Sequence, residues 1–172
     1  RLVNSLAFGA PRRISSFSQA ILMLGRQQLK RWLNLILFAS GSDDPRAPML
    51  LGRVVVRARM MELLTRESGG DKAQQELAFM AGMFSLLGVL FGQPLEDVVK
   101  PLQLDETLQS AVLQHTGPIG QLLSLMEHAE RMDAPAVSED LAQRKLSAET
   151  FNLLMLEAVA WMLGMRQESA DD

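Results

Sequence analysis

Apolar residues recur along most of the chain at the spacing of an α-helix. The clearest example is residues 26–38, whose apolar positions fall at i, i+3, i+4, i+7 and i+8 and are Leu29, Trp32, Leu33, Ile36 and Leu37. This spacing predicts an amphipathic helix with one apolar stripe and a basic, polar face opposite it. No segment alternates apolar and polar residues as a half-buried strand does, and no Asn-Gly or Asp-Gly hairpin signal occurs. The pattern therefore predicts an all-α fold.

Capping residues and helix breakers divide this pattern into about eight helices of a single domain that spans residues 1–172. Asp71 and Ser147 each suit the N-cap of a helix, and Pro118 suits a first turn. A short helix is predicted to start at Ser138 or Asp140. The other predicted helices cover about residues 16–25, 26–38, 49–67, 72–91, 95–102, 105–114, 118–132 and 148–165.

Residues 77–95 contain no charged side chain. The run is just long enough to cross a bilayer, and Gly88 and Gly92 have the G-x-x-x-G spacing of close helix contacts in lipid. However, Gln93 and Pro94 shorten its apolar part, no aromatic or basic anchors flank it, and the preceding DKAQQE is ordinary helix surface. We therefore predict the buried central helix of a helical domain and no membrane span.

The composition is that of a globular protein, with 172 residues of which 48% are hydrophobic and 22% charged. The chain has no cysteine, which excludes disulfides and thiolate metal sites and agrees with a cytoplasmic location. Because it starts at Arg1 rather than at a methionine, we expect it to be the C-terminal part of a longer protein.

Charge is distributed unevenly along the chain. Residues 1–66 contain 11 Lys/Arg and 3 Asp/Glu, whereas residues 67–172 contain 6 Lys/Arg and 17 Asp/Glu. Folding can bring the two halves together so that their fields largely cancel. Alternatively, a basic surface serves a protein partner or the phosphates of a nucleic acid, although the pI of about 5.4 and the lack of a recognition-helix signature argue against nucleic acid. The candidate contact residues are Arg12, Arg13, Arg26, Lys30 and Arg31.

The residues alone show no catalytic centre. The chain has two histidines, and His128 lacks the second histidine one turn away that a zinc-binding helix needs. There is no P-loop for nucleotide phosphates and no G-x-S-x-G nucleophile motif. Glu127 and Glu130 are the carboxylates that a residual hydrolase would use. The 11 methionines fall at helical spacings and suit core packing, although an adaptable methionine-lined surface also suits partner binding.

Two motifs resemble a known family. The opening RLVNSLAFGAPRRISSFSQAILMLGRQQLKRWL is similar to the start of an HDOD domain, the HD-related output domain of bacterial signalling proteins. AFMAGMFSLLG resembles a later helix of that family, where many members, like catalytic HD phosphohydrolases, read close to A-G-L-L-H-D-I-G. The likeness runs through most of residues 1–92. RWL and FSLLG are most similar to the HDOD domain that follows a cyclic-di-GMP-type EAL phosphodiesterase domain. The resemblance implies an HD/HDOD-type helical domain whose first helices and upstream module lie outside this sequence.

Where the HD enzymes have His-Asp, this chain has Ser85-Leu86. A metal phosphohydrolase needs the pair because imidazole and carboxylate hold the cation that generates hydroxide. The other metal-binding histidine of such enzymes lies in the preceding helix, whereas RVVVRARMME at residues 53–62 contains none. The resemblance therefore implies that the fold is kept and the chemistry lost, with no bound metal or cofactor.

We therefore expect a non-catalytic signalling module rather than an enzyme. It would dock on its own upstream EAL-type domain or on another signalling protein, or associate with a second copy of itself. The alternatives are a nucleic-acid-binding or regulatory helical module that uses the basic N-terminal half, and a residual metal-dependent phosphohydrolase.

Overall fold

The computed structural model describes residues 47–102 and 104–167, which form eight α-helices, one 3-10 turn and no strand. The all-α prediction is confirmed. The helices are α1 Ala47–Glu67, α2 Lys72–Phe84, α3 Leu87–Phe91, α4 Leu95–Val99, α5 Glu106–Gln114, α6 Gly117–Glu130, α7 Ala134–Gln143 and α8 Ala148–Gln167, with the 3-10 turn at Lys100–Leu102.

The helices predicted for residues 16–25 and 26–38 lie outside the described residues. So do the basic candidate contact residues, which are Arg12, Arg13, Arg26, Lys30 and Arg31. Their roles therefore stay predictions.

Helices α1 and α2 cross at the centre of the domain, and small residues make the crossing close. A Cβ atom built on Gly82 would lie 2.6 Å from the Cα of Ala58. Ala58 and Ala81 are fully buried at this contact, and Phe84 is fully buried one turn further on. Helices α5 and α6 pack on α2, and α8 packs on α1. This arrangement brings the C-terminal end of α2 against the middle of α1.

Local capping explains where several helices begin. The side chain of Asp71 accepts a hydrogen bond from the backbone of Gln74, whose side chain accepts one from the backbone of Asp71, so that a capping box starts α2. The hydroxyl of Ser147 accepts a hydrogen bond from the backbone N–H of Thr150 at 3.0 Å at the start of α8. Pro118 lies in the first turn of α6. These three predictions are confirmed.

Two predicted helix boundaries are wrong. The short helix predicted from Ser138 or Asp140 begins at Ala134, because Asp133 caps it and Pro135 fits its first turn. The continuous helix predicted for residues 72–91 is two helices, since Ser85 and Leu86 form a turn between α2 and α3.

Within the described part of the chain, residues 72–91 are long and apolar enough to cross a membrane, and α7 with α8 passes the same test as a pair bent by 104°. In residues 72–91, 56% of the most apolar window is buried inside the domain. The core helix of a globular protein has the same length and composition.

We expect Gly82→Ala to destabilise the domain by about 1–3 kcal/mol, because its methyl group must push apart the α1 and α2 backbones. Gly52→Ala in α1 is the matched control. A Cβ at Gly52 meets no atom within 4 Å, and alanine favours a helix by up to about 1 kcal/mol over glycine. Urea unfolding followed by circular dichroism measures both. A Gly82→Ala protein as stable as the wild type would contradict the close crossing.

Candidate functional site

Arg57 of α1 is buried where α1, α2 and α6 meet. Only 4% of its side chain is exposed. A buried guanidinium group loses its hydration, so it needs a carboxylate partner and acceptors for its N–H groups. It is therefore the residue around which the polar contacts of this region are arranged.

Glu130 of α6 supplies the carboxylate. The Arg57 Nε atom donates a hydrogen bond to Glu130 Oε1 at 2.7 Å, and Nη2 donates to Oε2 at 2.6 Å. Two parallel hydrogen bonds of this kind fix the orientation of both planar groups. Arg53, one turn earlier in α1 and half exposed, also donates a hydrogen bond to Glu130 Oε2.

Ser85, at the end of α2, binds the third side of the guanidinium group. The Arg57 Nη1 atom donates a hydrogen bond to Ser85 Oγ at 2.8 Å, and that hydroxyl donates its own proton to the carbonyl oxygen of Gly82 at 2.8 Å. The same serine therefore ends α2 and contacts Arg57. Leu86, the next residue, is buried in the apolar core. These two adjacent residues thus lie in different surroundings, one polar and one apolar.

A second carboxylate, Glu127, completes the group that we call the Arg57 cluster, comprising Arg53, Arg57, Ser85, Glu127 and Glu130. Glu127 Oε1 lies 3.8 Å from Arg57 Nη1, and its Oε2 lies 3.2 Å from the Nε2 atom of His115. Two arginines and two glutamates give the cluster no formal net charge at neutral pH.

The sequence explains how these residues meet. Arg53 and Arg57 are four positions apart on α1, and Glu127 and Glu130 are three apart on α6, so each pair lies on one helical face. Gly82 allows α1 to approach α2 closely enough for Arg57 to reach Ser85. Sequence reasoning missed Arg57. The available signal was a charged residue among Val54, Val55 and Ala58, because a charge within an apolar stretch needs a buried partner.

The pKa of Glu130 lies below its ordinary value of 4.5. Burial alone raises that pKa, but the hydrogen bonds and charge of Arg57, with those of Arg53, outweigh the burial. Glu130 is therefore a carboxylate at neutral pH, and both of its oxygens accept hydrogen bonds from arginine.

The described residues contain no group of three His, Cys, Asp or Glu side chains placed to hold a metal ion. Each histidine faces one carboxylate. His115 contacts Glu127, and the Nδ1 atom of His128 lies 2.8 Å from Asp140 Oδ2, linking α6 to α7. The cation beside the carboxylates of α6 is a guanidinium group.

A groove of about 360 Å³ adjoins the Arg57 cluster between α1, α6 and α8. Arg53, Arg57 and Glu130 form its polar side. Flexible methionine side chains adapt to differently shaped partners, so the lining suits an apolar ligand or side chain. The remaining lining residues are Met49, Gly52, Val56, Met126, Met155 and Met162.

Comparison with known proteins identifies the family. The HDOD domain family matches residues 1–95 of the 172. The chain belongs to the HDOD domain family. This confirms the resemblance carried by the NS, QAI and FSLLG motifs. No solved structure matches the chain.

Two curated relatives match nearly the whole of this HDOD chain. The cyclic di-GMP phosphodiesterase CdgJ of Vibrio cholerae is 30% identical over 161 residues, which cover 94% of this chain and 37% of CdgJ. The uncharacterized protein YuxH of Bacillus subtilis is 28% identical over 163 residues, which cover 94% of this chain and 39% of YuxH. The chain thus spans less than two fifths of the length of either relative.

We expect Glu130→Gln to destabilise the domain by about 3 kcal/mol at neutral pH, because it leaves the buried Arg57 guanidinium without its carboxylate. Glu139→Gln on the exposed side of α7 is the control, since Glu139 pairs with no arginine among the described residues and surface changes cost no more than about 0.5 kcal/mol. Chemical unfolding of both variants tests the ion pair. Equal stability of the two variants would show that the pair contributes nothing.

The same variant has a defined pH dependence. A carboxyl group whose pKa is lower in the folded protein stabilises that protein above its unfolded pKa, and this contribution is lost as the pH falls through the folded value. The stability gap between wild type and Glu130→Gln should therefore be full above about pH 4.5 and shrink below it. Unfolding free energies measured from pH 7 to pH 3 test this. A gap that widens on acidification would contradict it.

Proposed function

We propose that this HDOD domain is a non-catalytic signalling module that docks on its own upstream EAL-type domain or on another signalling protein. The observation that carries the proposal is the Arg57 cluster. Its guanidinium group is hydrogen-bonded to Ser85 and Glu130. By the resemblance to HD enzymes, Ser85 and Leu86 stand where those enzymes have their metal-binding pair.

The chemistry of a guanidinium group supports the absence of catalysis. Arginine stays protonated at every physiological pH, so Arg57 gives Glu127 and Glu130 a fixed positive charge. It does not coordinate water or lower the pKa of water to the range of a metal-bound hydroxide. The cluster therefore reproduces the charge of a cation site without a means of generating a nucleophile. Leu86 has no metal-binding atom.

The alternative of a residual phosphohydrolase would depend on Glu127 or Glu130 as a base. Glu130 fits this role poorly, because arginine N–H groups engage both of its oxygens and its pKa is lowered. Glu127 Oε2 is directed to His115. A water molecule held for attack on phosphate would have to displace these contacts.

The relatives support a role in signalling. CdgJ is named a cyclic di-GMP phosphodiesterase, and this chain corresponds to 37% of its length. Our proposal is that the HDOD part binds and biases the catalytic part of such proteins. A module without its own chemistry acts on a neighbour by binding one of its conformations better than another.

Metal and activity measurements test the loss of chemistry. The purified chain should contain no stoichiometric Mn²⁺, Fe²⁺ or Mg²⁺ and should not hydrolyse phosphodiester or nucleotide substrates. The double variant Ser85→His with Leu86→Asp restores the pair in sequence. It should unfold at a lower temperature, because truncating a buried leucine alone costs about 2–5 kcal/mol and the new carboxylate is buried.

Added Mn²⁺ or Fe²⁺ should not raise the unfolding temperature of this double variant, since Val54, Val55 and Val56 of α1 offer no ligand. Ser85→Ala is the control that removes the hydroxyl's hydrogen bonds to Arg57 and to the carbonyl oxygen of Gly82 without adding a metal ligand, at a cost of about 1–3 kcal/mol. Two results would overturn the proposal. One is a metal-dependent rise in unfolding temperature that only the double variant shows, and the other is substrate turnover by the wild type that a point mutation abolishes.

A binding experiment tests the docking part. A cleavable linker is introduced between the HDOD domain and its upstream module in the full-length protein, and the association of the two parts is measured after cleavage. Lys30→Glu with Arg31→Glu should weaken that association. Lys100→Glu, an exposed lysine outside the basic N-terminal segment, should leave that association unchanged. Unchanged binding by the first variant would contradict the use of this basic surface. Submicromolar nucleic-acid binding at physiological salt would favour the alternative instead.

A further inference from the structure

Helix α8 has apolar residues on two opposite faces. One face packs against the domain through Phe151, Leu154 and Ala158, and Trp161 on the same side makes an edge-to-face contact with Phe79 at 6.2 Å. The inward face is therefore already covered by the domain. A helix that is apolar on two opposite faces is typical of a helix packed between two neighbours.

The second face is exposed. Leu153 is 60% exposed, Leu156 66% and Leu163 48%, and Ala160 is exposed between them. Three of the six large apolar residues that are exposed on the described part of the chain thus lie on this single helical face. Isolated exposed leucines are common, but a continuous row marks a contact surface. We call this row the α8 seam.

The spacing of the α8 seam points to another helix as its neighbour. Its residues are three, four and three positions apart, which is the alternation of a and d positions in a helix pair. The order three, four, three reads the same in both directions. In an antiparallel pair of identical helices, Leu153 therefore lies opposite Leu163 of the partner subunit. Leu156 likewise lies opposite Ala160 of the partner subunit, a large residue facing a small one.

Gly164 gives an independent reason for a close neighbour. It lies on the same side of α8 as the seam, its φ is not positive, and a Cβ there would meet no atom of the domain within 4 Å. A glycine inside a helix destabilises it by about 1 kcal/mol relative to alanine. No contact in the described part of the fold requires a glycine at this position. In the antiparallel arrangement it faces the partner helix near its Leu153 position, where a missing side chain leaves room.

The charges beside the seam permit self-association. Glu157 lies next to the middle of the seam, but Arg59 and Arg66 of the same subunit pair with it at 3.0 and 3.3 Å. Two copies of the seam can therefore meet without bringing unpaired like charges together.

We propose that the α8 seam is the interface of a two-fold symmetric dimer of this chain, with the two α8 helices antiparallel. A two-fold interface uses the same patch on both subunits, which is what the symmetric spacing provides. The seam is about 15 Å long from Leu153 to Leu163, shorter than the contact of an obligate dimer. The dimer is therefore weak, with a Kd on the order of micromolar.

Sedimentation velocity of the full chain over a wide concentration range tests the dimer. The wild type should pass from monomer to dimer, and Leu156→Asp at the centre of the seam should weaken dimerisation at least tenfold. Met132→Asp, which changes an even more exposed apolar residue away from α8, should leave dimerisation unchanged. A wild type that stays monomeric, or a Leu156→Asp protein that dimerises normally, would overturn the proposal.

Crosslinking tests the direction of the helices, because the chain contains no cysteine of its own. A mixture of the Leu153→Cys and Leu163→Cys variants should form disulfide-linked dimers containing one subunit of each kind, and each variant alone should form few. Leu153→Cys dimers from the single variant would indicate parallel helices and overturn the arrangement.

Thermal unfolding tests whether the chain itself covers the seam. A large loss of stability in monomeric Leu156→Asp would show that the chain covers the seam itself, which also overturns the proposal.

Discussion

Arg57 of α1 and Glu130 of α6 form a two-point hydrogen-bonded ion pair in the interior of the domain. Placing a guanidinium group in the interior costs several kcal/mol of lost hydration, which only a correctly oriented carboxylate and further hydrogen bonds offset. Helix α6 must therefore keep a fixed position against α1, and Ser85 must end α2 at the point where its hydroxyl meets Arg57. The absence of a side chain at Gly82 makes the crossing close enough for that contact.

The same centre bears on the proposed signalling role. A metal site is emptied or filled, and a histidine changes charge near neutral pH, whereas an arginine does neither. Arg57 itself is therefore no switch in the proposed signalling role, and we expect a partner to act through the surfaces around it. Two surfaces are available in the described part of the chain, the methionine-lined groove beside the Arg57 cluster and the α8 seam on the far side of α8.

Helix starts that depend on local capping were predictable from the sequence. Asp71 and Ser147 marked helix starts correctly because capping involves residues only three positions apart. The break at Ser85 was not predictable in this way, since its hydroxyl bonds to Arg57, 28 residues earlier. Arg57 itself was missed for the same reason, because its partner Glu130 lies 73 residues further along. Contacts at such separations depend on how helices pack, which a single sequence does not specify.

We propose that the Arg57 guanidinium group occupies the place that a metal cation has in HD enzymes, and NMR of the arginine side chains tests this proposal. The Arg57 Nε–H group, buried and hydrogen-bonded to Glu130, should give a resonance protected from solvent exchange. On titration with paramagnetic Mn²⁺ its intensity should fall no faster than that of the other arginines. Selective broadening of the Arg57 resonance at low Mn²⁺ would place a metal ion beside the guanidinium group and contradict the account.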